Sequence, residues 1–192
     1  MEKNRLEAFS DGVLAIIITI MVLELHVPHT PDWFALVELW PVFFAYLLSF
    51  AFIGIYWGNH HHLIHTVKKV NPGIMWTNLH LLFWLSLVPF ATAWMGENHF
   101  ATNTVAAYAV LLALCGIAFN ILGRCIAASQ DHDEALQLAL KKLKLKGTGS
   151  LIAYFSAIPL AFVDTRISMF LFFAVAVAWL VPDRNIFKAI GE

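Results

Sequence analysis

The sequence predicts an all-α integral membrane protein with six transmembrane helices, and three observations carry that prediction. Of its 192 residues, 60% are hydrophobic and only 13% charged, and the mean hydropathy is +0.72. A soluble domain runs near 45–50% apolar and about 25% charged, and a chain this short has no core large enough to hide the excess. Apolar stretches able to cross the hydrocarbon, which takes roughly 20 helical residues, recur along the whole chain between turn signals. Lys and Arg fall almost entirely on one side once those stretches are made to alternate across the bilayer. The same composition excludes other classes. With 16 Phe, 7 Trp and 4 Tyr the chain is not disordered, two Cys make no disulfide scaffold, and a net charge of −1 offers no basic surface to nucleic acid. A single six-helix membrane domain over residues 1–192 is expected.

The spans fall at about 8–26, 38–58, 74–95, 103–127, 148–163 and 166–181. His26-Val27-Pro28-His29-Thr30-Pro31 closes the first, Asn71-Pro72-Gly73 opens the third, and Gly96-Glu97-Asn98 follows it. Asp164-Thr165-Arg166 turns the fifth into the sixth as a tight helical hairpin. The patterning is not strand-like, and helices satisfy every backbone group within the bilayer. Between the fourth and fifth spans, residues 130–147 carry acids first and lysines after, with Leu136, Leu140 and Leu143 on one face. This is expected to be an amphipathic helix on the cytoplasmic headgroups. Cys115 and Cys125 lie about 15 Å apart along the fourth span and cannot pair with each other.

Orientation follows the positive-inside rule. With a cytoplasmic N-terminus, eleven of the twelve Lys and Arg lie on the cytoplasmic side and only Arg166 lies outside, so both termini are expected in the cytoplasm and the protein in a cell membrane. No small-residue cleavage pattern precedes Pro28, so no signal peptide is expected.

The first span is unusual. Between Asp11 and Glu24 lie twelve uncharged residues, which as a helix cover roughly 18 Å, well short of the hydrocarbon thickness. Facing lipid, it would drag a carboxylate into the hydrocarbon at a cost of about 3 kcal/mol. It therefore belongs inside an assembly, against a cavity or pore. At 100° per residue Gly12, Ile16, Ile20, Leu23 and Val27 form one stripe, flanked by Thr19.

Arg5-Leu6-Glu7-Ala8-Phe9-Ser10-Asp11-Gly12-Val13, followed by Ala15-Ile16-Ile17-Ile18-Thr19 and Leu23-Glu24-Leu25, resembles the transmembrane protein 175 family of potassium channels. The motif is an Arg, three residues, then Phe-Ser-Asp, at the start of the first helix. Trp57-Gly58-Asn59-His60-His61-His62, Trp76-Thr77-Asn78 and Pro89-Phe90 are similar to the prokaryotic branch. The resemblance implies a homotetramer whose first helices line a central pore, conducting potassium in preference to other monovalent cations. It implies a hydrophobic constriction at Ile16, further apolar layers at Ile20 and Leu23, and a contribution of Thr19 to potassium preference. The motif residues Arg5, Phe9, Ser10 and Asp11 would form a structural network with Trp57, Asn59, His60, His61 and Asn78. No Thr-Val-Gly-Tyr-Gly carbonyl filter exists in the chain, so weak rather than stringent selectivity is expected.

Read from the residues alone, the polar groups leave two roles open. Asp11 is either part of a buried hydrogen-bond network with His or Trp of the second and third spans, or a proton-relay group. Arg5, six residues earlier, is too far along the helix to pair with it on one face. His61 and His65 have the spacing of a helical metal pair, but no neighbouring carboxylate in the sequence completes a ligand set, and no metal or cofactor is expected. His60 or His61 is expected to meet the Phe-Ser-Asp segment, and His80 to be a hydrogen-bonded interior residue or a pH sensor. Glu24, Asp32, Glu38 and Glu97 bias the outer face towards cations. The alternative function is a proton- or cation-coupled transporter using Asp11 and the His cluster. Neither an inverted repeat nor a pair of broken helices in corresponding positions supports it. No nucleophile–His–acid constellation, HExxH or phosphate loop points to an enzyme.

Overall fold

The structure is a computed structural model that describes residues 2–129 and 134–180, and within these the side chains of all but 134–142. It is all-helical: α1 Lys3–Leu23, α2 Trp33–Glu38, α3 Trp40–His65, α4 Pro72–Ser86, α5 Val88–Glu97, α6 Thr102–Ala128, α7 Glu134–Ala161 and α8 Thr165–Leu180. Among the described residues four stretches are long and apolar enough to cross a membrane: α1, α3, the α4–α5 stretch Pro72–Glu97, and α6. The chain is thus a multi-pass membrane protein. The expected fifth span, 148–163, falls on the second half of α7, which ends at Ala161, and the sixth falls on α8, a shorter apolar helix of 16 residues.

α6 is the spine. It buries 14 residues, among them Ala106, Ala109, Ala113, Gly116 and Ala118, and small residues let neighbouring backbones approach closely where lipid gives no hydrophobic drive between helices. α4, α5, α7 and α8 pack around it, and α1 lies against α3, α4 and α5. α3 and α5 touch so closely that a Cβ on Gly96 would come within 2.7 Å of the Val42 Cα.

Several boundaries depart from the sequence expectation. α1 ends at Leu23, so Val27 leaves the helical stripe. The residue before a proline resists the α conformation, and Pro28 ends the possibility of another turn. α3 runs on through the histidines to His65 rather than stopping at residue 58. The third span is two helices hinged at Leu87, because Pro89 cannot donate to the Leu85 carbonyl. Asn71 caps α4, its Oδ1 accepting from Ile74 N at 2.8 Å. Residues 134–147 of the expected surface helix are continuous with the fifth span in α7. Residues 130–133 of that segment, the side chains of Leu136 and Leu140, residue 181, Arg184 and Lys188 lie outside the described residues.

Candidate functional site

α1 has two faces of different character. Leu6, Ser10, Leu14, Ile17 and Met21, spaced by three or four residues, are buried against α3, α4 and α5. Ile16, Thr19, Ile20 and Leu23 are exposed on the other side, Ile16 at 58% and Leu23 at 77%, whereas Ile17 is 3% exposed. The exposed strip carries no charge between Asp11 and Glu24. Its one polar group, the Thr19 hydroxyl, donates to the Ile16 carbonyl at 2.9 Å. That leaves the lone pairs of the oxygen as the strip's exposed side-chain acceptor.

The amino-terminal half of α1 is tied to α3 by an antiparallel ladder with rungs every four residues. Lys3 Nζ donates to the His65 carbonyl at 2.7 Å, Glu7 Oε1 lies 3.2 Å from His61 Nδ1, and Trp57 Nε1 donates to Asp11 Oδ1 at 3.0 Å. A second, buried link joins α1 to α4 and back to α3. Ser10 Oγ donates to the Leu6 carbonyl at 2.8 Å and accepts from Asn78 Nδ2 at 2.9 Å, and Asn78 Oδ1 lies 2.6 Å from His60 Nε2. Because that amide oxygen can only accept, His60 carries its proton on Nε2. Its Nδ1 is then a bare acceptor, sealed from solvent without a partner.

The expected site residues therefore fall into three groups. Asp11 pairs with Trp57, Ser10 is linked through Asn78 to His60, and His61 meets Glu7 rather than Phe-Ser-Asp. Arg5 and Phe9 are exposed on the outer surface of α1. Asn59 stands apart: its Nδ2 bonds the Ile55 carbonyl at 2.7 Å, and it lines a crevice with Phe119, Asn120, Ser150 and Trp179. Lys3 and Glu7 are rungs that the sequence reading passed over. Their signal was present, since Lys3, Glu7 and Asp11 repeat every four residues, as do Trp57, His61 and His65. Among the described residues no three His, Cys, Asp or Glu are placed to hold a metal ion.

This arrangement holds one face of α1 against its neighbours and leaves exposed an apolar strip whose one hydroxyl bonds only its own helix. Residues 5–89 match the sequence model of the family described as endosomal/lysosomal potassium channel TMEM175. The chain is 50% identical over 192 residues to a protein of Chryseobacterium sp. (strain P1-3) named a potassium channel, all of both chains being covered. It is 33% identical over 192 residues to a potassium channel of Chamaesiphon minutus, covering 92% of each. The crystal structure of a lysosomal potassium-selective channel TMEM175 homolog from that organism superposes with a TM-score of 0.84. It is 30% identical, with 96% of this chain and 98% of that chain covered.

Proposed function

The chain belongs to the TMEM175 family of potassium channels, and from that premise we propose that it conducts potassium ions passively through a pore at the centre of a homotetramer. The family is one of ion channels, not of enzymes. The observation that carries the reading is the two-faced α1: Ile17 and Leu14 sealed in the subunit, Ile16, Ile20 and Leu23 open on its surface. Asp11 and Glu24 bracket that apolar strip, and only water or protein can accept both. Four copies of α1 around an axis meet both requirements. Ile16 then forms a ring from which water withdraws, a hydrophobic constriction that opens when the helices part or rotate. Ile20 and Leu23 continue the apolar lining. Thr19 offers its hydroxyl oxygen to a partly dehydrated cation, and potassium gives up water more readily than sodium.

Each subunit spans the membrane six times in this reading. α7 beyond Gly147 and α8 supply the last two crossings, packed against each other and along α6. The excess of Lys and Arg on one side of such an arrangement puts both termini in the cytoplasm of a cell membrane. The ladder at the amino-terminal half of α1 and the Ser10–Asn78–His60 link then hold the cytoplasmic end of the pore helix in place. Purified protein in planar bilayers tests the reading. Discrete unitary currents reversing towards the potassium equilibrium potential are expected, and slow saturable flux without unitary steps would identify a coupled carrier instead.

A further inference from the structure

His80 lies on an exposed stripe of the α4–α5 stretch with Trp76, Phe83 and Phe90. Trp84 Nε1 donates to His80 Nε2 at 2.9 Å. An indole nitrogen can only donate, so Nε2 is the acceptor in this bond and the ring N–H stands on Nδ1. That Nδ1–H finds no acceptor among the described residues and stands on the outside of a membrane-crossing stretch, about 12 Å along from Pro72. Lipid tails offer it nothing, and an unpaired polar group at this depth is costly. A protein acceptor from elsewhere is required.

The depth of that acceptor is fixed. α1 runs antiparallel to α3 along the ladder, and α3 doubles back into α4 through residues 66–71 so that His60 meets Asn78; α1 and α4 therefore run in the same direction, with the Ser10–Asn78 bond setting their register. His80 and Asp11 therefore sit within about one helical residue's rise of each other in depth. Asp11 spends Oδ1 on Trp57, and Oδ2 has no partner among the described residues, although the side chain is partly exposed. Asn59 lies near this level but faces the crevice against Phe119 and Asn120. Rotation about an axis along the membrane normal leaves depth unchanged, so a cyclic interface brings together groups of equal depth. We propose that His80 Nδ1–H of one copy donates to Asp11 Oδ2 of the next, so that the His80 stripe is the surface on which neighbouring subunits dock. The occupant is a second copy of this chain. The inference rests on the reading of a self-assembling channel and adds the residues that join its subunits.

Cysteine cross-linking tests it. Two differently tagged full-length chains, one Asp11→Cys and one His80→Cys, both carrying Cys115→Ala and Cys125→Ala, are co-expressed and mildly oxidised in the membrane. A disulfide-linked species bearing both tags is expected, and neither chain expressed alone should give a linked species. Ala15→Cys, exposed one turn beyond Asp11 on the same face, replaces Asp11→Cys should that variant fail to fold. His80→Phe, which keeps the ring and removes the donor, should lower the detergent concentration at which the native oligomer dissociates. If the unsubstituted protein is monomeric by native mass spectrometry, the channel reading itself fails. If it is oligomeric, yet neither cysteine pair links and His80→Phe dissociates like the parent, the subunits dock elsewhere and this inference alone is overturned.

Discussion

Trp57 Nε1 donates a 3.0 Å hydrogen bond to Asp11 Oδ1, the last rung of a ladder that joins α1 to α3 only five residues before the exposed Ile16. The bond links the family-like motif to a helix that is itself anchored on α1, α5 and α8. Any movement of α1 that opened a pore would pivot about this end or break it. Asp11 is therefore expected to be structural. Asp11→Ala strips Trp57 of its acceptor, a loss of about 1–3 kcal/mol if the indole is buried in the assembly, and should lower the yield of intact oligomer on size-exclusion chromatography. Asp11→Asn keeps an acceptor oxygen and should recover most of it. A variant that assembles normally but passes no ions would move Asp11 into the conduction path.

Asn78 has the most demanding surroundings of the polar residues, fully buried between Ser10 and His60. Asn78→Ala leaves two partners unpaired in a site closed to water, each costing about 1–3 kcal/mol. A clear drop in the thermal midpoint of the purified oligomer is expected. Ser10→Ala leaves one N–H of Asn78 unpaired and should cost less. Equal losses for the two variants would show that the link is not organised around the amide.

A second buried chain stitches α3, α5 and α6. Tyr108 Oη lies 2.7 Å from Ser49 Oγ, and Thr92 Oγ1 lies 2.6 Å from Ser49 Oγ and 2.7 Å from the Val88 carbonyl. Thr92 has one proton for two acceptors. A consistent order is Tyr108 to Ser49, Ser49 to Thr92, and Thr92 to the carbonyl, which uses each hydroxyl proton once. Tyr108→Phe keeps the edge-on contact with Phe172 and removes only the head of this chain, so a loss of about 1 kcal/mol is expected. Tyr108→Ala also opens a cavity and should cost about 3–5 kcal/mol, measured by thermal denaturation in the same detergent.

The phase of α1 was legible in the sequence because a period of 3.6 separates Leu14 and Ile17 from Ile16 and Ile20 whatever surrounds the helix. The partners of its polar residues were not, because they depend on which helices touch. Nothing local tells that Asn78 sits beside Ser10, or that His61 meets Glu7 rather than Phe-Ser-Asp. Local punctuation also misled in both directions. Pro89 hides a break at Leu87 within an unbroken apolar run. Gly147, after a run of lysines, reads as a helix boundary, yet α7 passes straight through it. The glycine serves packing there, since a Cβ would stand 3.1 Å from the Asn120 amide.

Thr19 is the only polar side chain on the exposed strip of α1, and its proton is committed to the Ile16 carbonyl. The oxygen lies against its own preceding turn, with its lone pairs left to accept a cation. Thr19→Ala should lower the potassium/sodium permeability ratio while leaving a functioning pore, and Thr19→Ser should preserve the ratio. Reversal potentials under bi-ionic conditions measure both. An unchanged value for the alanine variant would remove Thr19 from the selectivity determinants.

Ile16 and Ile17 are chemically identical neighbours with opposite surroundings, 58% and 3% exposed. If Ile16 forms the constriction, four side chains converging on an axis exclude hydrated ions because none can replace lost hydration. Ile16→Asn places amides there, water stays, and larger cation currents with weaker discrimination are expected. The same change at Ile17, about 100° around the helix, buries an amide among Leu14 and Met21 without an identified partner. That costs on the order of 1–3 kcal/mol for the unpaired group and further packing loss, so the amount of folded oligomer should fall with no gain in current per channel. Single-channel conductance and oligomer yield, measured on both variants, separate the two effects. Should Ile17→Asn enlarge the current while Ile16→Asn only misfolds, α1 presents its other face to the axis and Ile16 does not line the pore.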